Sequence, residues 1–147
     1  MAVTQFEITS RRPLADGQRF GDIGGYEEVV GILRYAVDPG HEANSRITDI
    51  NLAPRNADGQ VEFAADVHIM RPVDASRGRR KIVYDVLNRG NKVMLGTFNS
   101  ASPAAVVAGE DPPTEVGNGF LMRHGYTSVW CGWSPDAPRL AGRMKLY

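Results

Sequence analysis

The stretch Ile82-Val83-Tyr84-Asp85-Val86-Leu87 decides the fold class of this chain of 147 residues. It is almost continuously apolar, which is typical of a strand covered on both faces in a parallel sheet. The polar, glycine-containing segment Asn88-Arg89-Gly90-Asn91-Lys92 follows it directly. This order predicts a buried strand that ends in a loop.

A helix and a second buried strand are predicted further along the chain. After a stretch rich in proline and glycine at residues 103–113, Asn118 is placed to cap a short helix over residues 120–124. Gly125 is suited to end that helix. Residues 127–133 then have the apolar composition of another buried strand. Together with the first strand, these elements predict a β-loop-α-β unit.

The first half of the chain shows the alternation of antiparallel strands. Apolar and polar residues alternate over residues 4–10 and 26–37, with Gly31 as a candidate bulge. A short alternating segment lies at residues 47–52. Residues 61–71 have the clearest alternation, and their polar side, which includes Glu62 and His68, is expected to face solvent. We therefore expect an α/β fold that is strand-rich in this segment, with antiparallel entry strands before the β-loop-α-β unit.

The composition argues against several classes of function. The chain carries 17 basic and 17 acidic side chains and has no net charge, whereas nucleic-acid-binding domains are typically strongly basic. No run approaches the roughly 18 apolar residues that span a membrane. The first residues also lack the basic and apolar segments of a secretory signal. We therefore expect a cytoplasmic protein with neither a nucleic-acid nor a membrane partner.

Disulfide and metal chemistry are not expected either. The single cysteine, Cys131, cannot form an internal disulfide or a cysteine-rich zinc site. His41, His68 and His124 lack the H-x-x-x-H or H-x-H spacing that would bring two metal ligands together. The sequence thus predicts no metal and no cofactor.

Short motifs occur in a fixed order along nearly the whole chain. They are Phe6-Glu7-Ile8-Thr9-Ser10, Gly24-Gly25-Tyr26-Glu27, Ala36-Val37-Asp38-Pro39, Asn51-Leu52-Ala53-Pro54-Arg55-Asn56, Val61-Glu62-Phe63, Met70-Arg71-Pro72-Val73-Asp74, Asn88-Arg89-Gly90, Gly117-Asn118-Gly119-Phe120-Leu121-Met122-Arg123 and Val129-Trp130-Cys131-Gly132-Trp133. With the predicted order of elements, this set resembles the first half of an α/β-hydrolase, and more closely a bacterial group described as "alpha/beta hydrolase domain" proteins. Each motif alone is weak, whereas the ordered set is specific.

The resemblance implies an esterase-like serine hydrolase that acts on small carboxylic esters. In such enzymes a serine on a strand-to-helix elbow attacks the ester carbonyl, a histidine takes its proton and an acid orients the histidine. No serine of this chain lies in a G-x-S-x-G motif, so the catalytic triad is expected to be missing. Residues 1–147 are thus expected to be a single partial domain, the amino-terminal part of a larger enzyme, and inactive alone. The alternative is a self-contained, β-rich binding module without a triad.

The resemblance also points to Asn88, Arg89 and Gly90 as a functional loop. In this fold the corresponding loop supplies one backbone N–H group to the oxyanion hole, and glycine permits the close approach that this requires. The alternative is an ordinary glycine turn after a strand.

Other assignments stay open at this stage. Cys131 could act as a nucleophile with His124 and Asp136, although a small buried strand residue is the expected role. Asp85 is either paired with a donor or near the mouth of a site. If the sheet ends at the strand over residues 127–133, that strand leaves an open edge through which the chain could self-associate.

Overall fold

The computed structural model of the chain describes residues 2–102, 114–138, 140 and 142–147. Its strands are β1 (Ala2–Pro13), β2 (Tyr26–Val37), β3 (Val61–Pro72), β4 (Ile82–Asp85) and β5 (Thr127–Cys131), and its α-helices are α1 (Met94–Asn99) and α2 (Phe120–Arg123). Short 3-10 helices lie at Leu14–Gly17, Gly21–Ile23, Glu42–Asn44, Ile50–Leu52 and Ala75–Arg77. The five strands form one open, mixed sheet in the order β1-β2-β3-β5-β4. The chain is therefore strand-rich, as its composition predicts.

The entry strands form the antiparallel meander that their alternation predicts. β2 pairs with β1 on one side and with β3 on the other, and both pairings are antiparallel. The register of β1 slips between Ile8 and Ser10, opposite Gly31. A Cβ atom at Gly31 would lie 2.3 Å from the carbonyl oxygen of Glu7, so only glycine fits. The irregularity predicted at Gly31 thus lies on the partner strand.

The β-loop-α-β unit is present, but its first strand lies at the edge of the sheet. β4 and β5 are parallel, and β5 also pairs with β3, so β5 is an interior strand. The open edge predicted at residues 127–133 therefore belongs to β4 instead. The prediction that residues 82–87 are covered on both faces is also wrong, because Ile82 and Tyr84 are 67% and 51% exposed. The physical reason is that both side chains lie on the sheet face opposite the hydrophobic core, a face that neither described α-helix covers.

The core lies on the sheet face that carries Tyr26, Met70 and Trp130, which we call the helical face. Both α-helices contribute to this core, and the Tyr26 hydroxyl donates to the carbonyl oxygen of Met122 in α2 at 3.1 Å. The other buried members of the cluster are Leu14, Phe20, Leu87, Met94, Leu95, Val116, Leu121 and Met144.

The solvent-facing side predicted for residues 61–71 is correct at one end of β3 and wrong at the other. Glu62 is exposed, whereas His68 is buried. The reason is that His68 lies on the helical face, since it pairs with Trp130 of β5. On the opposite face, the edge side chains Phe6 and Tyr84 are exposed although both are apolar.

The remaining differences concern short elements. Residues 47–52 form no strand, and their last three residues are a 3-10 helix. Helix α1 was not predicted from the sequence. α2 ends one residue earlier than predicted, with the Asn118 side chain accepting from the Phe120 amide at 2.9 Å as expected and Gly125 at a positive φ of 70°. The proline- and glycine-rich stretch at residues 103–113 lies outside the described residues.

No described helix has the length and apolar character needed to cross a membrane.

Candidate functional site

The candidate site lies at the edge of the sheet where the parallel strands β4 and β5 have their carboxyl ends. In open sheets with parallel strands, ligands bind outside this edge. The segment after β4 contains Asn88, Arg89 and Gly90, and the segment after β5 packs against it. The topology thus places the predicted loop where a ligand site is expected.

Residues 88–91, which we call the turn loop, form a tight turn. Asn88 and Asn91 bind each other through both backbone groups, with N···O distances of 3.1 and 3.0 Å. Arg89 and Gly90 have positive φ angles of 48° and 84°, which is typical of a type I′ turn. Their amide groups donate to no acceptor within the part of the chain that the structure describes. The turn loop therefore presents two backbone N–H groups that its own geometry does not use.

The segment after β5 holds the turn loop in place. The Gly90 carbonyl accepts from the Met144 amide at 3.1 Å, and the Trp133 indole donates to the Leu87 carbonyl at 2.7 Å. A Cβ atom at Gly90 would lie 2.7 Å from the carbonyl oxygen of Met144. Glycine is thus required at this position by both its backbone angle and the close approach of residue 144.

That segment is itself anchored on β3. The amide of Lys145 donates to the Asp66 carboxylate at 2.9 Å, and the amide of Tyr147 donates to the Ala64 carbonyl at 2.7 Å. Residues 145–147 therefore lie beside β3, beyond the place where β5 ends.

Arg89 makes the side-chain contacts of the turn loop. Its guanidinium lies 3.0 Å from the Asp136 carboxylate, and both side chains are exposed. A hydrogen bond from Ser134, together with the charge of Arg89, holds the pKa of Asp136 below its usual range. The Arg89 carbonyl accepts from Arg143 at 2.8 Å. Because an exposed ion pair contributes little to stability, Arg89 is held mainly through its backbone.

Asp85 is paired, which decides between the two alternatives left open by the sequence. One carboxylate oxygen accepts from the amides of Val93 and Met94 at 2.8 and 2.9 Å and from the Trp130 indole at 2.7 Å. The side chain is buried. Asp85 therefore caps the start of α1 from a distance and is not a free group at the mouth of a site.

A buried polar chain, which sequence analysis did not predict, runs inward from the turn loop. Lys92 Nζ lies 2.6 Å from His68 Nδ1, and His68 Nε2 lies 3.5 Å from a Glu28 oxygen. Arg12 forms an ion pair with the other Glu28 oxygen. His68 and Glu28 are each only 2% exposed. These residues come from β1, β2, β3 and the position directly after the turn loop, so no local motif joins them.

The surroundings of the buried polar chain determine which of its side chains are charged. Burial is the largest effect on His68 and lowers its pKa; Glu28 opposes this, and the charges of Lys92 and Arg12 lower the pKa further. Burial alone would raise the pKa of Glu28, but the neighbouring side chains of His68, Thr114 and Arg12 bring it down to about 2. Glu28 is thus ionised and His68 neutral at neutral pH.

The structure gives Cys131 no contact with the other members of the alternative triad. Cys131 is half-buried, and its Sγ lies 3.7 Å from the Tyr35 hydroxyl. His124 packs on the Phe120 ring, and Asp136 binds Arg89 and Ser134. Among the described residues, no cluster of His, Cys, Asp or Glu could hold a metal ion.

Two surface clefts are lined by residues other than those of the turn loop. One, of about 300 Å³, is lined by Arg11, Arg12, Pro13, Glu27 and Val73. The other, of about 430 Å³, is lined by Thr4, Gln5, Arg34, Tyr35, Glu62, Phe63, Ala64 and Tyr147. Arg and Glu side chains in the first cleft neutralise each other in ion pairs, as Arg11 and Glu27 do at 2.7 Å.

No family model, curated protein or solved structure matches the chain. The assignment of a function therefore depends on the geometry described above.

Proposed function

We propose that this chain forms the oxyanion-loop side of an esterase-like serine hydrolase that acts on carboxylic esters. The observation that carries the proposal is the turn loop at the carboxyl end of β4. Its amides at Arg89 and Gly90 are not used by the turn, and its position is fixed by residue 144. Backbone N–H groups held in this way can stabilise the negative charge that develops on an ester oxygen during acyl transfer.

The order of the strands supports an α/β-hydrolase architecture. The resemblance implies antiparallel entry strands that lead into a β-loop-α-β unit. In this chain β1, β2 and β3 are antiparallel and are followed by the parallel pair β4 and β5. β4 then corresponds to the strand whose following loop supplies an oxyanion donor in this fold.

The surface of the sheet also fits an incomplete site. β4 offers an unpaired edge with the exposed apolar side chains Ile82 and Tyr84. A following parallel strand would pair with that edge, and helices would cover the face opposite the helical face. On this proposal, the serine, its histidine base and the acid come from polypeptide outside residues 1–147, since no serine here lies in a G-x-S-x-G motif.

Labelling with a fluorophosphonate probe tests the proposal. The 147-residue chain alone should not react, because it has no serine on an elbow, and it should not hydrolyse a p-nitrophenyl ester. The polypeptide encoded together with its in-frame downstream sequence should be labelled at one serine and should hydrolyse the ester. Labelling of the short chain, or a complete gene product without a reactive serine, would overturn the proposal and favour a binding module.

A further inference from the structure

The contact between Lys92 and His68 determines where the imidazole carries its proton. An ammonium group has only donors, so at a separation of 2.6 Å from Lys92 Nζ the His68 Nδ1 atom must be the acceptor. The proton of the neutral imidazole is then on Nε2. That atom faces the Glu28 carboxylate at 3.5 Å. The contact thus gives the chain a direction, from Lys92 through His68 to Glu28.

Burial makes this direction costly to reverse. His68 Nε2 and the facing Glu28 oxygen are buried, neither has a hydrogen-bond partner within the described residues, and the two atoms face each other at 3.5 Å. If the proton moved to Nδ1, a buried carboxylate would face a lone pair, and a donor would face the Lys92 ammonium. The Trp130 ring lies 5.1 Å from the imidazole centroid, and its indole is held by Asp85. Trp130 therefore restricts the movement of the His68 imidazole on one face of its ring.

We propose that Lys92, His68 and Glu28 form a buried polar chain of fixed direction, with Lys92 donating to His68 and His68 Nε2–H facing Glu28, and that this chain positions the turn loop over the carboxyl edge of the sheet. Lys92 directly follows Asn91, the last residue of the turn loop. Its contact with His68 therefore fixes the position of the backbone at the end of the turn loop. Lys92 and His68 are positioning residues, because they act through the backbone of the loop. Their role in an oxyanion site rests on the proposed hydrolase function. The direction of donation from Lys92 to His68 does not depend on that function.

The contact between Lys92 and His68 should break when His68 is protonated. Protonation of Nδ1 removes the acceptor of Lys92 and places two cations in contact. Arg12, from β1, adds a third positive charge near the same carboxylate, and Glu28 is the anion that directly faces the ring. The other nearby groups, Thr114 and Asp85, are already engaged with Glu28 and Trp130. Acid should therefore release the end of the turn loop.

Nitrogen NMR of the wild-type chain tests the direction. In 15N-labelled protein at neutral pH, His68 Nδ1 should give the signal of an unprotonated nitrogen and Nε2 that of a protonated one. Lys92→Met should abolish this single tautomer. It should also speed hydrogen exchange of the Asn88 and Asn91 amides by about tenfold without a matching loss of global stability.

Matched variants separate positioning from general destabilisation. Lys81→Met, in the exposed segment before β4, should leave the His68 signals and both amides unchanged. Lys92→Arg, which keeps a donor, should restore the tautomer. A proton on Nδ1 in the wild type would overturn the proposal even if Lys92→Met fails to fold. It would also be overturned by Lys92→Met leaving His68 and the loop amides unchanged. Neither result depends on ester hydrolysis. The proposal about Lys92, His68 and Glu28 can therefore fail or hold independently of the proposed hydrolase function.

Discussion

Trp130 and Asp85 are paired residues of the parallel strands β5 and β4, and the indole Nε1 donates to the carboxylate at 2.7 Å. The same oxygen accepts from the first amides of α1. One carboxylate therefore ties together both strands of the β-loop-α-β unit and the helix that follows the turn loop.

Asp85→Ala should be strongly destabilising. It leaves two buried N–H donors, the Met94 amide and the Trp130 indole, and the partly buried Val93 amide without their acceptor. At about 1–3 kcal/mol for each buried unsatisfied group, the free energy of unfolding should fall by about 2–6 kcal/mol. Asp85→Asn keeps one acceptor oxygen and should cost less. Urea denaturation measures both, with Asp22→Ala on the exposed surface as the control. Equal losses for the two Asp85 variants would contradict the role of this oxygen.

Gly90→Ala should destabilise the chain more than Gly17→Ala does. The two glycines have almost the same φ, at 84° and 83°, but a Cβ atom at Gly17 meets nothing within 4 Å, whereas at Gly90 it meets the Met144 carbonyl oxygen at 2.7 Å. The backbone conformation should cost about 1 kcal/mol at both sites. The clash should add about 1–3 kcal/mol at Gly90 alone. Similar midpoints of thermal unfolding for the two variants would exclude the tight contact.

In the longer hydrolase that we propose, Gly90→Ala should lower kcat by roughly 100-fold with a smaller change in KM, because an oxyanion contact strengthens mainly in the transition state. Gly17→Ala should leave kcat unchanged. Arg89→Ala should have a smaller effect than Gly90→Ala, since backbone donors survive truncation of the side chain. Steady-state kinetics on folded variants measure this, and an unchanged kcat for Gly90→Ala would remove the turn loop from the catalytic machinery.

Stability should fall as the pH falls, in two steps. Folding lowers the pKa of His68 below its ordinary value of 6.5, so the unfolded chain takes up this proton first and stability begins to fall below pH 6.5. Folding lowers the pKa of Glu28 from 4.5 to about 2, so a second loss occurs between those values.

A series of urea titrations across pH measures these two steps. His68→Gln should remove the first step and reduce the second, because His68 contributes to the low pKa of Glu28, while His41→Gln should keep both. Equal slopes below pH 6.5 for the wild type and His68→Gln would show that His68 is not the group responsible.

The isolated chain should self-associate through the edge of β4. This strand has unpaired backbone groups beside exposed apolar side chains at Ile82, Tyr84 and Val86. Tyr84→Lys should weaken association by about tenfold, which corresponds to about 1.4 kcal/mol. Leu52→Lys also replaces an exposed apolar side chain, but it lies away from the sheet edge and should have no effect. Sedimentation velocity over a range of concentrations distinguishes the two, and a monomeric wild type would argue for a self-contained module.

The long strands could be predicted because their signal is local. Alternation with a period of two follows from the geometry of a strand itself, and it identified β1, β2 and β3. The location of β4 at the edge depends on where β5 inserts, which residues 82–87 do not encode. Helix α1 was missed for a similar reason. Its first amides are capped by Asp85, nine residues before Met94, and it contains Gly96, a weak helix former.

The site was only partly predictable. The turn loop follows from the strand before it and from the family resemblance, and its glycine was a visible local signal. The contact between His68 and Glu28 joins residues 40 positions apart and depends on the register of β2 and β3. One signal could have indicated it. Glu28 lies between Tyr26 and Val30 on the alternation of β2, and a carboxylate on an apolar face requires a partner.

The hydrogen bonds of residues 144–147 make the turn loop part of a larger cooperative unit. Gly90 is held by Met144, and the next residues are held by Asp66 and Ala64 of β3. The contact between Gly90 and Met144 cannot outlast the attachment of that segment to β3. We expect detachment of residues 144–147 to free the Arg89 and Gly90 amides from their fixed alignment while β4 and β5 stay paired. Loss of the preorganised donors therefore precedes global unfolding.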